Sequence, residues 1–145
     1  MLKQKSIILL LISLAIIMSL LYNCDKDENP TKPTVNELVG TWKLTKLTII
    51  SSETTVISEA QLNLMGAYWT IKLKSDNTFE SDYNLDNHEI ESGTWNTSGN
   101  KLTVTFDSGG TDTFEYSLAG NVLTLEWTDV EDGVEETLIG EFKKQ

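Results

Sequence analysis

The chain holds few side chains that can serve as a nucleophile, a general base or a metal ligand. Its only cysteine is Cys24 and its only histidine is His88, so it can build neither a histidine-based metal cluster nor a serine-histidine-aspartate triad. His88 lies in the Asp-Asn-His-Glu segment at residues 86–89, which is typical of an exposed loop. Gly109 and Gly110 indicate a hairpin turn rather than a phosphate-binding loop. We therefore expect no enzyme, no catalytic residue, no metal and no cofactor.

Carboxylates are the one abundant reactive group, and they crowd the segment 129–136. The acids in that segment are Asp129, Glu131, Asp132, Glu135 and Glu136. Their oxygens suit a weak calcium site, but the spacing does not match the helix-loop-helix calcium pattern, so we favour a charged turn around Asp132 and Gly133. The acids are expected mainly in turns or on outward faces, and not as a pair that converges on a cleft, as glycoside hydrolysis requires.

Cys24 directly follows an apolar run at residues 7–21. Lys3 and Lys5 precede that run, and no acidic residue occurs before the cysteine. As a helix the run would be about 22 Å long, which is short of the roughly 30 Å hydrocarbon core of a bilayer. A positive start, an apolar middle and a processing site together predict a secretory signal peptide at residues 1–23.

A lone cysteine after such a run resembles the lipid-acceptor cysteine of bacterial lipoproteins. The acidic, lysine-containing segment 24–28 is similar to the surface-export signal of Bacteroidota lipoproteins. An aspartate at the position of Asp25 would imply inner-membrane retention in enterobacteria, but the whole acidic patch favours the outer membrane. The resemblance implies a protein anchored in the cell envelope by a lipid on Cys24, in the outer membrane and exposed at the surface. A free thiol behind a signal anchor is the alternative.

Charge and composition restrict the partners of the remaining chain. The net charge of the 145 residues is −11, and loss of the signal with its two lysines makes the rest still more acidic. Such a chain repels nucleic acid and anionic lipid faces. Residues 24–37 are polar and contain both prolines, which predicts a flexible spacer. Residues 38–145 suffice for one domain, which we expect to be monomeric and, with one cysteine in the chain, free of internal disulfides.

From residue 38 onward, short runs rich in Thr, Val, Ile and aromatic residues alternate with Gly, Asn, Asp and Ser. Residues 101–107 place apolar side chains at every second position, which is typical of a sheet with one buried face. We predict strands near 39–50, 53–58, 68–74, 77–85, 90–96, 101–107, 111–118 and 121–128. A ninth candidate at 134–143 would make one of the early strands wrong or split. Residues 58–66 favour one short helix instead.

The hairpin turns between these strands predict an all-β, antiparallel up-and-down meander. About eight strands can close into a barrel and remove exposed edges, whereas an open two-sheet sandwich is the competing architecture. The first strand breaks phase, because Trp42 and Leu44 share one parity while Leu47 and Ile49 share the other. A bulge near residues 45–46 would bring all four side chains inside.

Three short motifs occur in the domain: two Gly-x-Trp triplets and a Lys-Ser-Asp-Asn-Thr-Phe segment at residues 74–79. The glycines and tryptophans of the triplets are Gly40, Trp42, Gly93 and Trp95. In this order the motifs resemble the lipocalin-like domain common in Bacteroidota lipoproteins, over residues 38–143. The resemblance implies a barrel in which Gly40 allows a tight start and Trp42 packs across the closed end. It also implies a central cavity for a small apolar ligand.

The chain departs from the lipocalin pattern near its C-terminus. Lipocalins place an arginine there that stacks on the first-strand tryptophan, and this chain has only Lys143 or Lys144 as partial substitutes.

An eight-stranded barrel is just wide enough to be filled by side chains or to hold one small ligand, and four tryptophans favour filling. If a cavity exists, its candidate lining is Trp69, Tyr83, Phe114, Tyr116 and Trp127. Two functions follow. The first is a non-enzymatic, lipid-anchored lipocalin-like protein that binds a small hydrophobic or amphipathic ligand. The second is a filled-core barrel whose loops contact an envelope protein or glycan.

Overall fold

The computed structural model describes residues 34–85, 87–131 and 133–145. Within them the elements are α1 Val35–Leu38, β1 Gly40–Ile50, β2 Thr54–Ser58, α2 Glu59–Met65, β3 Tyr68–Leu73, β4 Thr78–Asn84, β5 His88–Ser98, β6 Lys101–Phe106, β7 Thr111–Ala119, β8 Val122–Glu131 and β9 Val134–Lys144. The predicted signal peptide, Cys24 and the first part of the predicted spacer lie outside these residues. Neither α1 nor α2 has the length and apolar character that crossing a membrane requires.

All nine strands form one antiparallel sheet in the order β2-β1-β3-β4-β5-β6-β7-β8-β9, and a further pairing between β1 and β9 closes it. β3 pairs with residues 40–43 of β1, and β2 pairs with residues 46–50. Eight strands therefore form the ring, and β2 is an additional strand beside it. The predicted all-β meander and closed barrel are confirmed, and the two-sheet sandwich is wrong because the ring closes. The predicted ninth strand is present as β9, and every earlier strand is present as well.

The predicted bulge in β1 is also confirmed. The register between β1 and β9 shifts between Leu44 and Lys46. The extra residue reverses the parity of the side chains that follow. Trp42, Leu44 and Leu47 are consequently all buried, and Ile49 packs against the same core.

The predicted short helix is α2, which carries the chain from β2 to β3. The side chain of Gln61 accepts a 2.9 Å hydrogen bond from the backbone N–H of Ser58, which satisfies a donor at the helix start. Gly66 ends the helix in the left-handed region, with φ 72°. Leu62 is the buried residue of α2, and it packs in the hydrophobic core of the barrel.

One end of the barrel, here called the closed end, is covered by α1 and Trp42. The indole N–H of Trp42 donates a 2.8 Å hydrogen bond to the carbonyl of Leu38. The ammonium of Lys144 lies 5.0 Å from the centroid of the Trp42 ring and donates a 2.9 Å hydrogen bond to the carbonyl of Glu37. Lys144 is thus the cation that covers the first-strand tryptophan. Gly40 has φ 151°, a conformation that residues with a side chain rarely adopt, and a Cβ there would also displace the end of the Lys144 side chain.

The tryptophan of the second Gly-x-Trp triplet donates hydrogen bonds to the β3–β4 turn, which lies at the same closed end. The indole N–H of Trp95 donates to the carbonyl of Lys74 at 3.1 Å, and its backbone N–H donates to the carbonyl of Asn77 at 2.8 Å. A Cβ on Gly93 would lie 2.0 Å from the carbonyl oxygen of Thr105 on the adjacent strand. Both triplets therefore have structural roles. The opposite end, with α2 and the β4–β5, β6–β7 and β8–β9 turns, is here called the open end.

Candidate functional site

The barrel interior contains a cavity of about 450 Å³ toward the open end. Its apolar lining consists of Trp69, Ile71, Leu73, Phe79, Tyr83, Leu85, Leu102, Val104, Phe106, Phe114, Leu125 and Trp127. Its polar lining consists of Ser81, Glu91, Asp112, Thr113, Thr128 and Asp129. Cavities of roughly 300–1,000 Å³ commonly hold small molecules. The four tryptophans had favoured a filled interior. The cavity shows that side chains do not fill the barrel along its whole length.

The four tryptophans divide between the two ends of the barrel. Trp42 and Trp95 lie at the closed end, where each is at most 2% exposed. Trp69 and Trp127 line the cavity and are only partly buried. Two of the tryptophans thus help to fill the closed end, and the other two border the cavity.

Four aromatic side chains in the wall form a cluster, here called the aromatic cluster: Trp69, Tyr83, Phe114 and Trp127. The Trp69 ring centroid lies 5.6 Å from Trp127, edge to face, and 5.9 Å from Tyr83. Phe114 packs edge to face on Trp127 at 5.9 Å. These are the arrangements that aromatic pairs prefer. The indole N–H of Trp69 also donates a 2.8 Å hydrogen bond to the hydroxyl of Ser81, which is buried. The structure thus brings together four of the five predicted lining residues.

Tyr116, the fifth predicted residue, lies in the core and does not line the cavity. Its hydroxyl is buried and has no hydrogen-bond partner among the described residues. Tyr116 and Phe114 share a parity on β7, so both point inward. They differ in depth along the barrel, which strand periodicity does not reveal. A role in ligand contact stays a prediction for all five residues.

Three carboxylates line the cavity at the open end, and they are here called the acidic rim: Glu91, Asp112 and Asp129. These three are exceptions to the expectation that the acids lie mainly in turns or on outward faces and do not converge on a cleft. Asp112 is in phase with Phe114 on β7, and Asp129 is in phase with Trp127 on β8. The same period-two pattern that identified the aromatic residues could have identified these acids, had their parity been followed to the strand ends.

The acidic rim carries negative charge that no lysine offsets, since no lysine of the described residues lines the cavity. Burial raises the pKa of Glu91, and repulsion from Glu89 and Asp112 raises that pKa further. The hydroxyl of Tyr83 donates a 2.6 Å hydrogen bond to Glu89, and this bond is the largest reason that the pKa of Tyr83 is raised. The open end of the cavity is therefore an aromatic site with an anionic rim.

Two other sequence-based expectations concern polar groups outside the cavity. His88 was expected in a loop, but it is the first residue of β5; it is exposed, with its Nε2 3.2 Å from an Asp82 oxygen. In the 129–136 segment, Asp132 lies outside the described residues. No group of three or more histidine, cysteine, aspartate or glutamate side chains suited to a metal ion occurs in the part of the chain that the structure describes.

Comparison with known proteins adds one finding. A family model described as a lipocalin-like domain matches residues 38–127. The matched segment contains both Gly-x-Trp triplets and the whole aromatic cluster, and it ends within β8. The curated proteins contain no significant match to the chain.

Proposed function

Because the chain belongs to the lipocalin-like domain family, we propose that it is a non-enzymatic binding protein whose ligand occupies the barrel cavity. Lipocalin-like barrels serve as ligand-binding or interaction modules. The observation that carries the proposal is the cavity of about 450 Å³ walled by the aromatic cluster. A small hydrophobic or amphipathic molecule suits it, because its apolar part would leave water for aromatic surface while a polar part stays at the open end.

Native mass spectrometry and a fluorescence titration with a dye test this proposal. Residues 25–145 are first examined by native mass spectrometry for a co-purifying small molecule, then titrated with the neutral apolar dye N-phenyl-1-naphthylamine. Trp127→Phe alters the cavity wall and should weaken dye binding several-fold. Trp95→Phe makes the same change at the closed end and should leave the affinity unchanged. No co-purifying molecule together with no saturable dye binding would contradict the proposal.

We also propose that the protein is lipid-anchored through Cys24 in the outer membrane. The support is the sequence of residues 1–28, which resembles a Bacteroidota lipoprotein signal. In cells fed a fatty-acid analogue that can be labelled, the wild-type chain should carry the label and sediment with membranes. Cys24→Ser should lose the label. Equal labelling of both chains would contradict a lipid on this cysteine.

An interaction module is the second candidate, and a separate observation favours it. Leu64 and Met65 on α2 are 88% and 61% exposed at the open end, and exposed apolar patches often mark contact surfaces. In this function the open end contacts an envelope protein. A Leu64→Ser/Met65→Ser variant should then lose a partner that chemical cross-linking captures on cells, while dye binding is retained. Capture of the same partner by the variant would argue against it.

A further inference from the structure

We propose that the ligand of this cavity is an apolar molecule with a positively charged amine or quaternary ammonium group, and not a fatty acid. This inference rests on the proposed binding function and specifies the chemical class of the ligand. Three features of the cavity carry it: the charge of its rim, the aromatic faces beside that rim, and the hydrogen-bonding groups that remain free.

The acidic rim is the first feature. Glu91, Asp112 and Asp129 line the cavity from three different strands, and no lysine of the described residues lies among the lining residues. Glu91 is already repelled by Asp112 and by the neighbouring Glu89. A ligand carboxylate would add a further negative charge to this group, whereas an ammonium ion would offset the repulsion.

The aromatic cluster is the second feature, because the face of an aromatic ring attracts a cation. Trp127 lies two positions from Asp129 on β8, with the same parity. Tyr83 donates its hydroxyl proton to Glu89, and the nearby charge of Glu91 also raises the pKa of Tyr83. Ring faces and carboxylates therefore meet at the same end of the cavity. This combination suits an ammonium group, since the rings contact its alkyl substituents and the carboxylates balance its charge.

The third feature is the set of polar atoms that remain for a ligand. The indole N–H of Trp69 is donated to Ser81, and the hydroxyl proton of Tyr83 is donated to Glu89. Two of the donors in the aromatic cluster are thus already used within the protein. The rim carboxylates only accept hydrogen bonds when ionised. A ligand that donates hydrogen bonds or carries positive charge complements these carboxylates.

Three ligands with the same ten-carbon chain test the proposal: decyltrimethylammonium, decanol and decanoate. The protein for the test is again residues 25–145, which contain the complete barrel. Isothermal titration calorimetry at pH 7 is done below the micelle concentrations of the two ionic ligands and below the solubility limit of decanol. It should give at least tenfold tighter binding of decyltrimethylammonium than of decanoate. Decanol should also bind, because the aromatic wall holds the chain.

A charge-removing variant shows whether a preference for the cation comes from the acidic rim or from the net negative charge of the whole protein. Glu91→Gln/Asp112→Asn should abolish the preference for decyltrimethylammonium over decanoate. The control Glu115→Gln/Glu126→Gln removes two charges from a cross-strand pair on the exposed outer face, and it should keep the preference. Near-ultraviolet circular dichroism checks that each variant is folded.

The outcomes distinguish the head-group inference from the function on which it rests. Binding of decanoate as tight as that of decyltrimethylammonium, with decanol also bound, overturns the cationic ligand class and leaves the binding function standing. A cation preference that the outer-face control loses as fully as the rim variant overturns the inference as well. Failure of all three ligands to bind overturns the binding function and the inference together.

Discussion

Glu91 occupies an inward-facing position of β5, two residues before Gly93. A carboxylate that is partly withdrawn from water and faces other carboxylates is less stable in its charged form than one in solution. The direction of its pKa shift is consistent with this, since burial is the first cause and repulsion by Glu89 and Asp112 follows. In the absence of a positive ligand group, this residue opposes folding at neutral pH.

Replacement of Glu91 by glutamine should therefore stabilise the protein at pH 7. The pKa of Glu91 is raised in the folded chain. Between the unfolded pKa of about 4.3 and this raised pKa, the folded chain therefore binds more protons than the unfolded chain. The stability of the wild-type protein falls as the pH rises through this interval. The gain from Glu91→Gln should be largest at pH 7 and vanish near pH 4. Urea unfolding at both pH values measures it, with the exposed Glu126→Gln as control. A loss of stability at pH 7 would contradict the prediction.

Gly93 should tolerate no side chain. The turn glycines are needed for their positive φ, whereas Gly93 is needed because another strand lies very close to it. A Cβ at this position would overlap the carbonyl oxygen of Thr105 at 2.0 Å, so the two strands would have to separate. We expect Gly93→Ala to lower the free energy of unfolding by about 3 kcal/mol. Gly99→Ala, at φ 68° in a turn with open space around it, should cost only about 1 kcal/mol. Equal losses in chemical denaturation would show that the close approach is not what requires glycine here.

At the scale of single residues, sequence predicted the parity of side chains but not their depth. Trp69 and Trp127 were correctly placed inside with Trp42 and Trp95, yet only the first two border the cavity. Interior volume depends on small residues as much as on large ones. A list of large apolar residues leaves out Ser81, a small buried residue that lines the cavity and leaves room that a count of tryptophans does not reveal.

At the scale of elements, α2 is the irregular part of an otherwise regular barrel. It joins β2, which lies beside the ring, to β3, which belongs to the ring. Its signals in the sequence were strong, because Ser58 and Gly66 mark its start and end. The position of β2 was not predictable in the same way. A strand pattern reveals that a segment is extended, and only the pairing of β1 with both β2 and β3 shows which one continues the ring.

The docking of α2 should depend on one side chain. Leu62 is 2% exposed and Leu64 is 88% exposed, although both are leucines on the same short helix. Leu62→Ala should therefore lower the free energy of unfolding by about 3 kcal/mol, because it leaves a cavity beneath the helix. Leu64→Ala should change it by less than about 0.5 kcal/mol. Comparable losses in urea unfolding would mean that α2 does not pack on the barrel through Leu62.

At the scale of the whole molecule, closure of the ring depends on β9, which pairs with β8 along one edge and with β1 along the other. The family match ends at residue 127, before this strand begins. Closure leaves the ring without free strand edges and gives the cavity a continuous wall. The closed barrel was predictable because consecutive hairpins favour a meander that about eight strands can close, with an open two-sheet sandwich as the alternative. The bulge in β1 was predictable too, since a change of parity in an apolar strand has few other causes.

Two proline substitutions in one row of the sheet should separate the ring from its additional strand. Thr48 of β1 lies between Val56 of β2 and Ile139 of β9. Proline removes a backbone donor and distorts a strand that is paired on both sides, so Ile139→Pro should cost about 3 kcal/mol or more and abolish cooperative unfolding. Val56→Pro affects a strand paired only with β1 and should leave the near-ultraviolet circular dichroism of the barrel intact. Complete unfolding by Val56→Pro would show that β2 is as necessary to the barrel as β9, and that the eight-stranded ring is not its independent unit.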